Sequence, residues 1–468
     1  MIVFMTMWCP AISGRPGPAY LALAEAIAEA VAARQLIAGD RLPPQRDLAY
    51  RLGLSLSTVT RGYSEAARRG LLEGTVGRGT YVRQPGPKVA AAWGATLTRP
   101  SDGPIDFANN LPFAGSAATA LARCLAGLAS DSGLGAFLDH APEAAMRRHA
   151  EVGAHWIGML GLGIRGRSIS LVNGAQQGLF VSLLALTRPG DAILVEELTY
   201  PPVLAIARQL GLTPIPVAMD REGLLPDALD TSAISTGARL LYVMPTLQTP
   251  TAATMGESRR RAVAEVALGR GLTIIEDDVF AFLPRFRPPP LATFAPENTL
   301  FLTSTSKSLA PGLRVGFVHA PSRFESALRS AIALSSWMPP PFMAEIAARW
   351  IEDGTAEKLN SEQRTEAEFR QKLSRRILDG YDIRADPSGF HVWLCLPKGI
   401  RAGTFEAAGG QQGVLLRASS IFAVDAKAAP EAVRLCLSHE PDRERVALGL
   451  ARIAALLQST ADSSAFVV

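Results

Sequence analysis

The stretch at residues 302–318 reads LTSTSKSLAPGLRVGFV and places Lys307 directly after a short apolar run. Four small hydroxyl residues surround the lysine, namely Ser304, Thr305, Ser306 and Ser308. No acidic residue is adjacent to neutralise its charge, which suits an amine held close to a phosphate and available for Schiff-base chemistry. Arg314, further along, can bind the same phosphate through two nitrogens. The alternative is a surface loop with an ordinary lysine.

The segment SKSLAPGLRVG resembles the pyridoxal-phosphate lysine motif of fold-type I aminotransferases. More narrowly, it is similar to the version found in MocR-type regulators of the GntR superfamily. The resemblance extends from about residue 18 to about residue 455. In that family the lysine forms an internal aldimine with pyridoxal 5'-phosphate, and the arginine binds the cofactor phosphate. The resemblance therefore implies that Lys307 is the Schiff-base lysine and that Ser304, Ser306 and Arg314 bind the cofactor.

Length and composition allow two or three domains with large cores. The chain has 468 residues, of which 48% are apolar and 19% charged, so global disorder is excluded. The net charge of +4 is compatible with nucleic acid but is not evidence for it. The cysteines are scattered, which indicates neither a disulfide framework nor a metal site and fits a reducing cytoplasm: Cys9, Cys124, Cys395 and Cys436.

The first dozen residues, MIVFMTMWCPAI, are apolar but lack a basic region and are too short to span a bilayer. No later run reaches membrane-spanning length without a charge or a proline. We therefore expect no signal peptide, no membrane segment and a cytoplasmic location.

Residues 18–83 predict a winged helix-turn-helix. Apolar residues at three- and four-residue spacing predict a helix over residues 19–34, and a second helix is expected over 45–52. Ser55 or Ser57 can cap a third helix that runs to Gly70. Two short extended runs then flank Gly77-Arg78-Gly79 as a glycine-tipped hairpin.

The basic residues of this head lie where such a domain meets DNA. Arg46 opens the second helix, Arg61 and Arg68 lie on the third, and Arg78 is at the tip of the hairpin. Residues 41–82 are similar to the GntR-type DNA-binding domain, which implies a double-stranded DNA operator as partner. The implied DNA-binding residues are Arg46, Ser57, Thr58, Thr60, Arg61, Arg78 and Gly79. The alternative is a helical cap with no partner. Leu56 departs from the family, which often has an arginine there.

Residues 84–104 are rich in proline, glycine and alanine without periodicity, which is typical of a linker. Residues 105–468 then alternate apolar runs with helical patterns, as in an α/β fold with a parallel sheet. We expect strands at 169–172, 192–195, 240–244, 272–275 and 300–303, and crossover helices at 174–187, 201–210 and 256–268. The resemblance implies a fold-type I aminotransferase-like large domain with a small α+β C-terminal domain from about residue 330.

Ligands in such folds bind at the carboxyl ends of the strands. After the first strand, Asn173-Gly174-Ala175-Gln176 opens a helix whose backbone amides favour a phosphate. By resemblance, Gly174, Ala175 and Gln176 bind the cofactor phosphate. After the second strand, Tyr200 is implied to stack on the pyridine ring; the alternative is a core tyrosine at a helix start.

Two charged residues in apolar runs need partners. Asp277 lies within three acids that end the fourth strand, and the resemblance implies that it pairs with the pyridine nitrogen. Arg434 lies inside an apolar strand, where a buried arginine needs an anion. The resemblance implies that it binds the α-carboxylate of a substrate or effector. The alternatives are a solvated strand end for Asp277 and an internal salt bridge for Arg434.

Two departures affect the cofactor site. Thr249 stands where the family usually has an asparagine, and Val279 and Phe280 stand at the two positions where a tyrosine is usual. Both missing groups normally donate to the phenolate oxygen of the cofactor and lower the aldimine pKa. Thr249 can replace one donor and Phe280 cannot, so we expect cofactor binding with altered spectroscopy and doubt efficient transamination. His140 stands near the place of a family tyrosine that reaches the partner's phosphate.

The favoured hypothesis is a pyridoxal-phosphate-binding transcription regulator that senses an amino compound or the cofactor itself through aldimine chemistry at Lys307. An alternative is an active aminotransferase with an accessory DNA-binding head, and a third possibility is a regulator whose body no longer binds cofactor. The resemblance also implies a head-to-tail homodimer.

Overall fold

The structure, a computed structural model, describes residues 8–12, 17–33, 35–37, 39–68, 71–75, 79–82, 103–131, 133–138, 143–164 and 166–465. The chain divides into two compact units, Met1–Thr96 and Leu97–Val468. The predicted linker lies outside the described residues except for 103–104, and Arg78 and His140 lie outside them too.

The first unit contains three helices and an antiparallel hairpin: α1 (Ala19–Ala32), α2 (Gln45–Leu52), α3 (Leu56–Arg68), β1 (Leu72–Thr75) and β2 (Gly79–Val82). Helix α3 begins after Ser55, whose Oγ accepts a hydrogen bond from the Thr58 amide at 3.1 Å, so Ser55 and not Ser57 is the cap. A Cβ added to Gly62 would lie 2.8 Å from the Leu23 side chain, which shows how closely α3 approaches α1.

The strands of the second unit are β3 (Ile105–Asp106), β4 (Ile169–Val172), β5 (Ala192–Glu196), β6 (Thr213–Val217), β7 (Met219–Asp220), β8 (Gly223–Leu224), β9 (Leu240–Val243), β10 (Thr273–Asp277), β11 (Thr299–Ser304), β12 (Gly316–His319), β13 (Ile383–Arg384), β14 (His391–Cys395), β15 (Val414–Leu415), β16 (Arg417–Ala418) and β17 (Ala432–Cys436).

The helices of the second unit, short 3-10 turns aside, are α4 (Ala117–Ala129), α5 (Glu143–Gly158), α6 (Ala175–Leu186), α7 (Pro201–Gln209), α8 (Pro226–Thr236), α9 (Glu257–Arg270), α10 (Thr305–Ser308), α11 (Ser322–Ser336), α12 (Pro341–Glu352), α13 (Thr355–Ile377), α14 (Ala402–Gln411) and α15 (Arg443–Ala465).

The large sheet has the order β4-β12-β11-β10-β9-β5-β6. Strand β12 is antiparallel to both of its neighbours, and the other pairings are parallel. Every residue of β9 and β11 is buried, as in a sheet covered on both faces. The carboxyl ends of β4, β5, β9, β10 and β11 therefore lie at one edge of the sheet, and the candidate site lies there.

The sequence analysis did not predict β6 or β12. Strand β6 contains Pro214 and Pro216 and lies at the edge of the sheet. Proline has no backbone N–H to donate to a neighbouring strand, and edge strands tolerate it because they pair on one side alone. Strand β12 begins at Gly316, two residues after Arg314, so the motif around Lys307 lies in the connection between β11 and β12.

A second sheet, in the order β13-β14-β17-β16, carries Arg434 on β17. Its core contains Val392 and Leu435 together with Ile105 and Phe107, which come from the first described residues of this unit. Strand β3 pairs in parallel with β15. The first described residues of the second unit therefore lie beside this smaller sheet.

None of the helices in the described part of the chain combines the length and the hydropathy needed to cross a membrane.

Candidate functional site: a cofactor pocket and a nucleic-acid interface

Lys307 lies on the one-turn helix α10, after β11. Burial lowers the pKa of its ammonium to about 8. Its Nζ donates a hydrogen bond to the backbone carbonyl of Asn110 and lies 5.7 Å from the centre of the Phe280 ring. A buried amine that loses its proton near neutral pH is a usable nucleophile.

Four groups from other parts of the chain act electrostatically on Lys307: Cys436, Arg434, Asp277 and Arg314. Asp277 ends β10, Arg314 precedes β12, and Arg434 and Cys436 lie on β17 of the smaller sheet. Three of the charged residues selected from the sequence therefore lie around the predicted Schiff-base lysine, although 157 residues separate Asp277 from Arg434 in numbering.

Asp277 has one occupied and one free carboxylate oxygen. Its Oδ2 accepts a hydrogen bond from the Tyr242 hydroxyl at 2.8 Å. Its Oδ1 is buried and has no hydrogen-bond partner among the described residues. Burial raises the pKa of this carboxyl to about 7, and the Tyr242 hydrogen bond opposes that rise. A buried acceptor without a donor fits a protonated ring nitrogen.

Gly174, at the start of α6, lies directly against the guanidinium of Arg314. Gly174 has φ of +77°, and a Cβ placed there would lie 2.8 Å from Arg314 Nη2. That nitrogen donates to the Asn173 carbonyl at 3.0 Å, which holds the guanidinium beside the helix N-terminus. Ala175 is half-buried in the first turn and Gln176 is exposed. Backbone amides and an arginine are the donors that a phosphate takes.

Two serines beside Lys307 differ in their contacts. Ser304 caps α10, because its Oγ accepts from the Ser306 amide at 3.3 Å. The Ser306 hydroxyl is buried and makes no hydrogen bond to any residue that the structure describes. Tyr200 precedes α7, and burial raises its pKa, with a further contribution from Asp277. The donors and acceptors present thus fit pyridoxal phosphate.

Arg434 is buried and only partly satisfied. Its Nη2 donates to the Ala108 carbonyl at 2.7 Å, and its guanidinium lies 4.7 Å from the centre of the Phe422 ring. Its Nε is buried without a hydrogen-bond partner in the described chain. Arg434 makes none of the salt bridges found between described residues. An anion can therefore still be added to this site.

Thr249 is buried directly before Pro250, and its neighbour Gln248 makes the polar contacts of this loop. Gln248 Nε2 donates to the Leu198 carbonyl at 2.6 Å, and its Oε1 accepts from the Thr251 hydroxyl at 2.7 Å. The Gln248 carbonyl contacts His391 Nε2 at 3.1 Å. The sequence analysis assigned no role to Gln248 or His391.

His391 is held in one tautomer. A carbonyl can only accept, so Nε2 carries the proton donated to Gln248, and Nδ1 accepts from the Asn110 side-chain amide at 3.3 Å. Burial lowers the pKa of this imidazole to about 3. His391 therefore joins the smaller sheet to Gln248 and Asn110 as a neutral ring. A histidine at the start of an apolar strand was the only sequence signal for it.

Further carboxylates are buried at the strand ends. Glu276 accepts from the amides of Leu291 and Ala292 at 2.7 and 2.8 Å, and burial raises its pKa to about 7. Glu196 accepts from the Met244 amide at 3.2 Å, and burial raises its pKa to about 8. The described residues contain no cluster of acidic, histidine and cysteine side chains able to hold a metal ion.

We expect the stability of the cofactor-free protein to fall as the pH rises, partly because of Glu196. Its raised pKa means that the folded protein binds this proton more tightly than the unfolded chain. The stabilisation is complete below about pH 4.5 and is lost as the pH approaches 8. Glu196→Gln stays neutral, so its free energy of unfolding should change less between pH 5 and 8, by on the order of a few kcal/mol.

Urea unfolding at the two pH values measures this difference. Glu197→Gln, at the exposed neighbouring position, is the matched control and should keep the wild-type pH dependence. Parallel pH dependences in Glu196→Gln and the wild type would contradict the assignment.

The first unit presents most of its predicted DNA-binding residues to solvent. Arg46, Ser57, Thr60 and Arg61 are exposed, and Thr58 is half-buried. The Arg61 guanidinium lies 4.2 Å from the centre of the Tyr20 ring, and the Thr60 hydroxyl donates to Gln45 at 2.7 Å.

The hairpin position Gly79 has a backbone conformation that residues with a side chain rarely adopt. It has φ of +114°, and a Cβ there would lie 2.8 Å from the Arg41 guanidinium. Gly79 therefore lets Arg41 pack against β2, a contact that the sequence analysis did not anticipate.

Two family models match the chain. The model described as "Aminotransferase class I and II" matches residues 163–452. The model described as "Bacterial regulatory proteins, gntR family" matches residues 19–82. The predicted fold class, an N-terminal GntR-type helix-turn-helix followed by a fold-type I aminotransferase fold, is thereby confirmed.

Curated relatives align over nearly the whole chain. The "Uncharacterized HTH-type transcriptional regulator YdeF" of Bacillus subtilis is 28% identical over 450 residues, 96% of each chain. The "Vitamin B6 salvage pathway transcriptional repressor PtsJ" of Salmonella typhimurium is 27% identical over 425 residues, 90% of this chain and 94% of the relative.

Solved aminotransferases share the fold of the second unit. The multiple substrate aminotransferase of Thermococcus profundus has a TM-score of 0.72 at 21% identity and covers 81% of this chain and 96% of its own. LysN of Thermus thermophilus, an alpha-aminoadipate aminotransferase complexed with N-(5'-phosphopyridoxyl)-L-leucine, has a TM-score of 0.70 at 24% identity and covers 77% and 94%.

Proposed function

The chain belongs to the aminotransferase class I and II family and carries a gntR-family regulatory domain, and we propose that it is a transcription regulator of MocR type that binds DNA and pyridoxal phosphate. In this proposal the first unit binds an operator. The second unit holds the cofactor and senses an amino compound or the cofactor itself. The relatives that align over both units are named as transcriptional regulators, which supports this assignment over an enzyme with an accessory head.

The free Oδ1 of Asp277 is the observation that carries the cofactor proposal. A buried carboxylate oxygen without a donor is costly, and a pyridinium N–H supplies the donor. The Tyr242 hydroxyl occupies the other oxygen and so orients the carboxylate. The PtsJ relative, named for vitamin B6 salvage, also supports a vitamin B6 form as ligand.

In this proposal the remaining residues take the roles that the family resemblance implies. Gly174, Ala175, Gln176, Ser304, Ser306 and Arg314 bind the phosphate end, and Tyr200 stacks on the ring. Bound pyridoxal phosphate supplies an aldehyde that condenses with an amine, with loss of water. Lys307 provides that amine, and its lowered pKa makes it reactive near neutral pH.

We do not assign efficient transamination to this chain. The centre of the Phe280 ring lies 5.7 Å from Lys307 Nζ, and neither Phe280 nor Val279, the two positions where the family usually has a tyrosine, carries a side-chain hydrogen-bond donor. Thr249, at the position of the family asparagine, has a hydroxyl as its only side-chain donor. With fewer hydrogen bonds donated to its phenolate oxygen, the lysine-bound cofactor would have a higher pKa than in the family's enzymes. A higher pKa fits a sensor better than a fast enzyme.

We also propose a homodimer, head-to-tail as in the family. Leu334 and Trp337 are 82% and 67% exposed, and Ser336 between them accepts a hydrogen bond from Asn173 beside the candidate site. Exposed apolar side chains next to a ligand site are typical of a subunit interface. Sedimentation velocity of the full chain tests this, and a single species of monomer mass would contradict it.

For the first unit, we expect Arg46→Ala to weaken binding to a duplex by about tenfold and to reduce the slope of log affinity against log salt by about one. The reason is the loss of one phosphate contact from an exposed arginine at the start of α2. Fluorescence anisotropy at several salt concentrations measures both quantities, on a duplex selected from a random pool by the full chain.

Arg376→Ala, an exposed arginine in the second unit, is the control and should leave the slope unchanged. Equal slopes for Arg46→Ala and the wild type would exclude Arg46 from the interface.

A further inference from the structure

Helix α3 presents one large apolar side chain to solvent. Leu56, its first residue, is 43% exposed and lies outside the apolar core of the first unit, whereas Val59, Tyr63 and Ala66 of the same helix belong to that core. The other side chains that the structure describes as exposed on α3 are short or charged: Ser57, Thr60, Arg61, Ser64 and Ala67. An exposed leucine needs no explanation by itself, but this one opens the helix that a helix-turn-helix motif places in the major groove of DNA.

The hydroxyl groups of the first two turns of α3 already have partners within the first unit. The hydroxyls of Ser57 and Thr58 lie 2.9 and 2.7 Å from Ser55 Oγ. The Thr60 hydroxyl donates to Gln45 Oε1 at 2.7 Å. A hydroxyl group both donates and accepts, so it can bind the edge of any base. These residues therefore provide little discrimination between bases.

Arg61 is held away from the start of α3. Among the exposed side chains described on this helix, it alone carries a charge. Its guanidinium lies 4.2 Å from the centre of the Tyr20 ring on α1, which is a cation–π contact. This contact holds the guanidinium beside α1. The discriminating contact at the first position of α3 therefore falls to Leu56.

The major groove offers an apolar side chain one specific target. Thymine has a C5-methyl group at the groove edge, where the hydrogen-bonding groups of the other bases are donors and acceptors. The Cα–Cβ bonds of a helix point toward its N-terminus, so the Leu56 side chain projects from the end of α3 that contacts base edges. A leucine placed against a donor or an acceptor would remove water from it without replacing the hydrogen bond. Contact with a methyl group avoids this cost.

We propose that Leu56 selects a thymine in the operator by packing its side chain against the C5-methyl group of that base. This inference rests on the proposed DNA-binding function and adds to it a specificity-determining residue and the base that it contacts.

The test replaces thymines of the duplex with deoxyuridine, which lacks only the methyl group. The full chain first selects a duplex from a random pool, and each thymine of the selected sequence is then replaced in turn. Fluorescence anisotropy measures the affinity for each duplex. We expect one replacement, or one in each half of a symmetric site, to weaken wild-type binding by about three- to fivefold, the effect of one buried methyl group.

Leu56→Ala removes the apolar partner of that methyl group. It should bind the unmodified duplex about three- to tenfold more weakly than the wild type does, and deoxyuridine at the sensitive position should then change its affinity by less than about 1.5-fold. Alanine favours the helix, and Leu56 is outside the core, so we expect this variant to fold. Ile37→Ala, at a 58% exposed position between α1 and α2, is the matched control and should keep both the wild-type affinity and the sensitivity to deoxyuridine.

Several results would overturn the proposal while leaving DNA binding itself in place. One is a selected duplex without a thymine at any fixed position, and another is a wild-type chain that tolerates every replacement. A Leu56→Ala chain that keeps the full sensitivity to deoxyuridine would show that another residue contacts the methyl group. A Leu56→Ala chain that binds no duplex would show that Leu56 has a structural role instead. If the wild-type chain selects no duplex, the proposed DNA-binding function fails and this inference fails with it.

Discussion

Lys307→Ala is expected to abolish the visible absorption band that the wild-type chain acquires with pyridoxal phosphate and keeps through dialysis. Lys307 is the buried amine of the pocket, and burial already lowers its pKa to about 8. Without it the aldehyde has no amine to condense with at this position, and the phosphate contacts alone hold the cofactor reversibly. Absorption spectra recorded before and after dialysis measure the effect.

Lys358→Ala, at an exposed position on α13, is the matched control and should keep the band. A band of equal intensity in Lys307→Ala after dialysis would show that another amine holds the cofactor. A wild-type chain without any band would remove the cofactor from the account and leave only the DNA-binding proposal.

Asp277→Asn is expected to weaken cofactor binding by about 10- to 100-fold, the loss that follows when a buried charge-assisted hydrogen bond is removed. Asparagine keeps the size of the side chain but loses the negative charge that stabilises a protonated ring nitrogen. In the wild type, the Tyr242 hydroxyl holds Oδ2 at 2.8 Å and Oδ1 is left for that nitrogen. Titration with pyridoxal phosphate, followed by absorbance, measures the affinity.

Asp278→Asn changes the neighbouring buried carboxylate, whose Oδ2 accepts from the Thr246 hydroxyl at 3.1 Å, and should leave the affinity near the wild-type value. If Asp277→Asn binds the cofactor as tightly as the wild type, the free oxygen does not serve the pyridine nitrogen. The free oxygen would then need another explanation.

The main groups of the pocket were predicted from two things: strand ends meet at one edge of a sheet, and the stretch around Lys307 resembles a known cofactor motif. Asp277 ends β10, Gly174 and Tyr200 follow β4 and β5, and the structure brings Asp277 and Arg314 into electrostatic contact with Lys307. Their roles toward the cofactor stay predictions. The two strands that were missed have local reasons: β6 contains two prolines, and β12 lies within the stretch interpreted as a cofactor motif.

The partners of these groups could not be predicted. Tyr242 lies in a fully buried apolar strand, where a tyrosine is usual, and only the pairing of β9 with β10 places its hydroxyl at Asp277. Arg434 and Lys307 donate to the backbone carbonyls of Ala108 and Asn110, and every residue type has such a carbonyl. Contacts of this kind leave no pattern in the sequence, because they depend on tertiary structure.

Coupling between the cofactor site and the DNA-binding unit is measured by the affinity of the full chain for its selected duplex, with and without pyridoxal phosphate. We expect the cofactor to change this affinity in the wild type and to leave it unchanged in Lys307→Ala, because a regulator must bind DNA differently in its two ligand states. The opposite result is a wild-type chain that shows the visible cofactor band and binds the duplex with the same affinity as the cofactor-free chain, both alone and with an amino compound present. The pocket and the DNA-binding unit would then act independently, and the proposed regulation would be wrong.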